Sequence, residues 1–155
     1  MVIIRNLQRR VRINREYLHQ CLELVLERLK LDRVEIGILL VNDLRSKELN
    51  RTHRGKDQPT DVLSFPLYNS LKEIREALKN NIYQEDLPIG DVVVNLHQAE
   101  RQANQYGLSL QEETLRLLIH GVLHLIGYDH EGPKNKARAM FSKQRELLNA
   151  LKKVV

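Results

Sequence analysis

Ser109-Leu110-Gln111-Glu112-Glu113-Thr114-Leu115-Arg116-Leu117-Leu118-Ile119-His120-Gly121-Val122-Leu123-His124-Leu125-Ile126-Gly127-Tyr128-Asp129-His130 begins with a helix start and ends with a helix stop. Ser109 and Glu112 stand three apart, the spacing of a capping box. The helix is predicted to run to about Ile126 and to stop at Gly127, where a positive φ is cheap only for glycine. His120 and His124 are four apart within it, so both imidazoles lie on one face, one turn from each other. After the glycine the chain can reverse and return His130 as a third nitrogen donor. Three protein ligands leave one position of a tetrahedral zinc open, and zinc lowers the pKa of a water there toward ~7. The pattern therefore predicts a catalytic metal site on His120, His124 and His130. Two histidines in this spacing are often ordinary helix residues; the third, placed after a glycine turn, is what favours a metal.

The spacing is that of the metzincin proteases, H-E-x-x-H-x-x-G-x-x-H. The histidines and the glycine match, but Gly121 stands where the protease has its general base. A metal cage without that carboxylate argues against peptide hydrolysis. Asp129 is the nearest substitute, and a turn cap or a hydrogen bond to a ligand imidazole is its simpler role.

Outward from this helix, the chain reads as alternating strands and helices without regular order. Strands are predicted over Val2–Val11, Val34–Val41, Asp61–Phe65 and Asp91–Asn95. Helices are predicted over Arg15–Lys30, Asp43–Thr52 (capped by Asn42), Leu96–Tyr106 (stopped by Gly107) and from Pro133 to about Leu151. In the last, Ala139, Phe141, Leu147, Leu148 and Leu151 are the residues available for burial. Ser70–Asn80 has helical composition, but the region around it is read as a surface excursion. The sum is an α+β fold, a central mixed β-sheet with helices. No repeat or linker divides it, so residues 1–155 are expected to form one unit.

The chain has 155 residues, 42% hydrophobic and 29% charged, a globular composition and not a disordered one. No apolar run approaches the ~20 residues of a membrane span, and the N-terminal run is too short for a secretory signal. Cys21 is the only cysteine, which excludes a disulfide framework and a cysteine zinc cluster. A cytosolic location is the default expectation. The net charge of +5 favours polyanionic partners, although the basic residues are dispersed and aromatics are few.

A second stretch, Leu49-Asn50-Arg51-Thr52-His53-Arg54-Gly55-Lys56-Asp57-Gln58-Pro59-Thr60-Asp61-Val62-Leu63-Ser64-Phe65-Pro66, sets a basic turn before a strand. Arg54 and Lys56 can present charge to an anionic substrate, and the planar fork of arginine bonds two phosphate oxygens at once. On residue chemistry alone Arg54 reads as a solvated surface arginine. His19, His53 and His97 read as ordinary helix or surface histidines.

These stretches, with Ile89-Gly90-Asp91-Val92-Val93, resemble the YbeY family of bacterial endoribonucleases, the rRNA maturation factors. The family pattern H-G-x-L-H-L-x-G-Y-D-H is matched at every fixed position, and the likeness extends over nearly the whole chain. The resemblance implies one zinc ion (or another divalent transition metal) on His120, His124 and His130. It implies a metal-dependent, single-strand-specific endoribonuclease acting in 16S rRNA 3′-end maturation and ribosome quality control. The expected partners are single-stranded RNA, 16S rRNA and the ribosome or ribosomal proteins, with no membrane. Arg54 matches the family's functional arginine, which turns the surface reading into a catalytic and substrate-binding one; Lys56 is the weaker substrate contact. Two departures stand out. Glu131 to Lys136 is more basic than the family leads one to expect, and Tyr68 to Leu87 falls where members vary in length. Two other functions fit the residues: a metal-stabilised module that binds RNA or the ribosome without cutting, and a zinc hydrolase acting on peptide or a small phosphoester.

Overall fold

The computed structural model of the protein describes residues 1–81, 85–129 and 134–154. Strands β1 (Val2–Asn6), β2 (Val34–Val41), β3 (Val62–Pro66) and β4 (Leu87–Asn95) form one mixed sheet in the order β1-β2-β4-β3. β1, β2 and β4 run parallel; β3 lies antiparallel to β4 at the edge. Helices α1 (Arg15–Arg28), α2 (Asp43–Arg54), α3 (Leu71–Lys79), α4 (Leu96–Tyr106), α5 (Leu110–Leu125) and α6 (Lys134–Val154) complete the described chain. The α+β reading with a mixed sheet holds.

Period-two alternation divides the sheet into two faces. Ile36, Ile38 and Leu40 of β2 and Val92 and Val94 of β4 point into the main core, which also takes the apolar stripes of α1 and α5. Leu39, Val41, Leu63 and Val93 point the other way into a smaller cluster that Leu49 of α2 helps cover. α5 packs on β3 and β4 and is flanked by α4 and α6. No described helix is long and apolar enough to cross a membrane.

Three expectations change. β1 ends at Asn6, well short of Val11. The Gln8 side chain closes the following turn instead: its amide donates to the Val11 carbonyl (2.8 Å) and accepts the Val11 N–H (2.9 Å). The stretch Ser70–Asn80 is a capped amphipathic helix, α3, with Ser70 Oγ accepting the Glu73 N–H and Ile74 buried in the core. The region is thus part of the core at α3 and not only a surface excursion. In α6, Ala139 and Phe141 are exposed, while Met140, Gln144, Leu147 and Leu151 face inward. The residues at 140, 144, 147 and 151 follow the i, i+4, i+7, i+11 rhythm of one helical face, and Phe141 falls 100° off it.

A polar tie joins α2 to α4. Asp43 accepts two bonds from Arg101 (Nη1 to Oδ2 3.0 Å, Nη2 to Oδ1 2.7 Å) and one from Asn95 Nδ2 (2.8 Å). Hydrogen bonding to Arg101 lowers the Asp43 pKa from 3.8 to about 2 against the opposing effect of burial; Asn95 and the charges of Arg101 and His97 add to the lowering. The folded pKa lies below the unfolded one, so the tie stabilises above pH ~4 and is lost as pH falls toward ~2. Both partners are substantially exposed, and solvent screening holds the contribution under ~1 kcal/mol. Urea unfolding of the parent and of Asp43→Asn is expected to differ by that small amount at pH 6 and to converge near pH 2.

Candidate active site

The capping box predicted at the start of α5 is present. Ser109 Oγ accepts the Glu112 N–H at 3.1 Å, and Glu112 Oε1 accepts the Ser109 N–H at 3.2 Å. From this fixed start every fourth residue reaches one cleft: Arg116, His120 and His124. The His120 and His124 ring centroids are 4.8 Å apart with planes at 75°. His120 Nδ1 lies 3.0 Å from Oε1 of Gln144, a buried residue of α6. With Oε1 as acceptor, Nδ1 carries the proton and Nε2 keeps its lone pair. α5 ends as expected: Gly127 has φ +101°, and the N–H of Tyr128 bonds back to the Leu123 carbonyl at 3.0 Å. His130 lies outside the described residues.

The opposite wall is the C-terminal end of α2. Gly55 caps it in the left-handed region at φ +69°, its N–H donating to the Arg51 carbonyl. Two buried polar side chains then bind the following loop back onto the helix. Ser46 Oγ exchanges hydrogen bonds with both backbone groups of Thr60 (2.9 and 3.0 Å), and Asn50 Nδ2 donates to the Gln58 carbonyl at 2.8 Å. This clasp explains two polar residues in a helix interior face, and it fixes the path from Arg54 to β3. His53 sets its ring edge-on to Phe65, centroids 4.8 Å apart.

Edge strand β3 runs along the cleft between these walls. The cavity is about 840 Å³, within the range of ligand sites. Arg54, His120 and His124 all line it, as do Asp61, Asp129 and His53. Lys56 is exposed and does not line it, and Asp91 lays its carboxylate over Gly37 elsewhere on the sheet. His97 approaches Asp43 (3.7 Å), and His19 approaches Glu23 (3.5 Å). Sequence reasoning assigns no part in the site to three contributors: Arg116, Phe141 and Gln144. Arg116 had a signal, since 116, 120 and 124 continue one stripe. Phe141, for which the helical pattern predicts burial, is 47% exposed with its ring 6.4 Å from that of His120. Gln144 gave no signal.

Among the described residues no group of three or more His, Cys, Asp and Glu is arranged to hold a metal ion. The two described imidazoles nevertheless suit one. They are neighbouring nitrogen donors on one face of α5, half-buried in a cleft that Asp61 and Asp129 also line. The orientation of His120 by an amide acceptor at Nδ1 is what ligand histidines ordinarily show.

A family model described as Endoribonuclease YbeY matches residues 3–152. A protein of Persephonella marina named Endoribonuclease YbeY is 44% identical over 140 residues, covering 90% of this chain and 85% of that one. One of Aquifex aeolicus with the same name is 36% identical over 154 residues, covering 99% and 93%. A solution structure from Thermotoga maritima superposes with a TM-score of 0.63 at 30% identity, covering 96% of this chain and 87% of that chain.

Proposed function

We propose, because this chain belongs to the endoribonuclease YbeY family, that it cuts single-stranded RNA in the cleft between α5 and α2 with the help of one divalent metal ion. The chain is an RNA-cleaving hydrolase. The finer reading is zinc as the metal, 16S rRNA 3′-end maturation and ribosome quality control as the role, the cytoplasm as the place, and residues 1–155 as one catalytic unit. The observation that carries the reading is the cleft itself. Two imidazoles from successive turns of α5 share one cavity with an arginine from the end of α2.

In this mechanism His120, His124 and His130 are the residues that would hold the metal. A divalent ion held there would supply Lewis-acid chemistry toward a phosphoryl oxygen. Arg54, exposed at its helix end, clamps oxygens of the same phosphate and strengthens its hold as negative charge builds in the transition state. The Ser46 and Asn50 clasp keeps Arg54 in place. Gln144 holds His120 in one tautomer. Asp61 and Asp129 line the cleft and are the candidates for the proton acceptor, whereas Asp91 is outside it. Asp61 already accepts the Val62 N–H at 2.7 Å through Oδ1.

Metal removal is the direct test. Purified protein is expected to carry close to one equivalent of zinc by elemental analysis. Dialysis against chelator should abolish cleavage of single-stranded RNA, and one added equivalent of zinc should restore it. Casein and p-nitrophenyl phosphate should remain uncut throughout. RNA cleavage at an undiminished rate by metal-free protein would overturn the reading.

A further inference from the structure

Glu113 is a carboxylate with no solvent exposure at all, one turn before the cleft. Arg116 donates Nε–H to its Oε1 (2.6 Å) and Nη2–H to its Oε2 (2.7 Å), and Gln102 Nε2 of α4 donates to Oε2 (2.6 Å). Burying a carboxylate costs several kcal/mol, and an apolar pair of like volume stabilises a fold at least as well. The arrangement is therefore a poor way to hold α5 on α4. It is an effective way to hold a guanidinium still. Of the five N–H donors of an arginine, those at Nε and one at Nη2 are engaged. Among the described residues Glu113 is the hydrogen-bond partner of Arg116, and both Nη1 hydrogens remain on a side chain 35% exposed that lines the cleft. Four residues of helix, a rise of about 6 Å, separate Arg116 from His120. That is the scale of the step between successive phosphates of an extended strand.

We propose that Arg116 is a second phosphate-binding group, holding the backbone phosphate next to the one at Arg54, and that Glu113 is its positioning residue. The proposal rests on the cleft being the RNA site. A guanidinium already fixed by a buried carboxylate loses little rotamer freedom when a phosphate arrives. It contacts the backbone and not a base, so it adds affinity without sequence preference.

The test uses a short single-stranded RNA with 2′-O-methyl sugars, which binds without being cut through its own 2′-oxygen, so that binding is read apart from metal chemistry. The double variant Glu113→Gln/Arg116→Gln removes both charges together and keeps hydrogen-bonding groups buried. Circular dichroism and thermal melting establish that it is folded. Its affinity is expected to fall about tenfold, and the slope of log K against log salt to shrink by ~0.7, the loss of one phosphate contact on a single strand. Arg116→Lys should keep the slope and lose part of the affinity, since a point charge lacks the fork. Glu113→Gln with Arg116 intact should also keep the slope while affinity drops several-fold. Unchanged affinity and slope in the folded double variant overturns the proposal, whatever its cleavage rate. Cleavage of unmodified RNA by metal-free parent protein, run alongside, would sink the metal mechanism and leave the slope to judge Arg116 by itself.

Discussion

His120→Ala and His124→Ala proteins are expected to fold, to lose their metal on purification and to cut single-stranded RNA about 100-fold more slowly or worse. Neither side chain is part of the buried core, so truncation removes a donor without opening a large cavity. Structural effects are then small, and the loss is chemical. Gln144→Leu makes the sharper comparison. It leaves every donor in place and removes only the acceptor 3.0 Å from His120 Nδ1. Losing such an outer partner ordinarily costs about 10–100-fold in metal affinity or activity. Zinc titration against a competing chelator should find the Gln144→Leu protein weaker than the parent by that margin and stronger than His120→Ala. Equal zinc affinity in all three proteins would show that His120 is not a ligand.

What could be read in the residues and what could not divides by sequence distance. The caps at Asn42, Gly107, Ser109 and Gly127 were legible because each satisfies backbone groups within a few residues. The pairing of His120 with His124 was legible for the same reason. The run from Pro59 to Pro66 pointed to the family and to a strand, and both stand; that the strand is an edge follows only from the sheet order. The buried partnership of Glu113 with Gln102 was not legible, because it depends on how closely α4 lies on α5. On the inward face of α6, Leu147 and Leu151 were legible, but Met140 and Gln144 were not. Met140 and Phe141 are adjacent and both apolar, and only the position of α5 decides which is core; Phe141 instead borders the cleft. Arg54 and Lys56 are two residues apart and look alike in sequence. Gly55, turning the chain in the left-handed region between them, sends one to the cleft and the other to solvent.

Gly121 draws the second large effect. It occupies the motif position where a peptidase has its glutamate, and the packing of α5 on the sheet accounts for the departure. A Cβ built at 121 would come 2.4 Å from Val92 Cγ1, 3.1 Å from Val92 Cγ2 and 3.2 Å from Ser64 Oγ. Val92 is a β-branched core residue with no exposure, and Ser64 donates to the Gly121 carbonyl at 3.0 Å, so neither neighbour yields easily. The closeness of helix and sheet here brings His120 and His124 alongside edge strand β3. Gly121→Ala gains helix propensity worth about 1 kcal/mol. The clash forces a shift of α5 or Val92 costing about 1–3 kcal/mol, so the net change is expected to be destabilising and to be accompanied by weaker zinc binding as the two rings move. Gly121→Glu adds an unpaired carboxylate to the same buried space, a penalty large enough to unfold a protein of ordinary stability. Urea denaturation should rank the parent above Gly121→Ala, with Gly121→Glu lacking a cooperative transition. A Gly121→Glu protein as stable as the parent would mean that α5 is not held this close to β4, and the shared cleft would lose its structural basis.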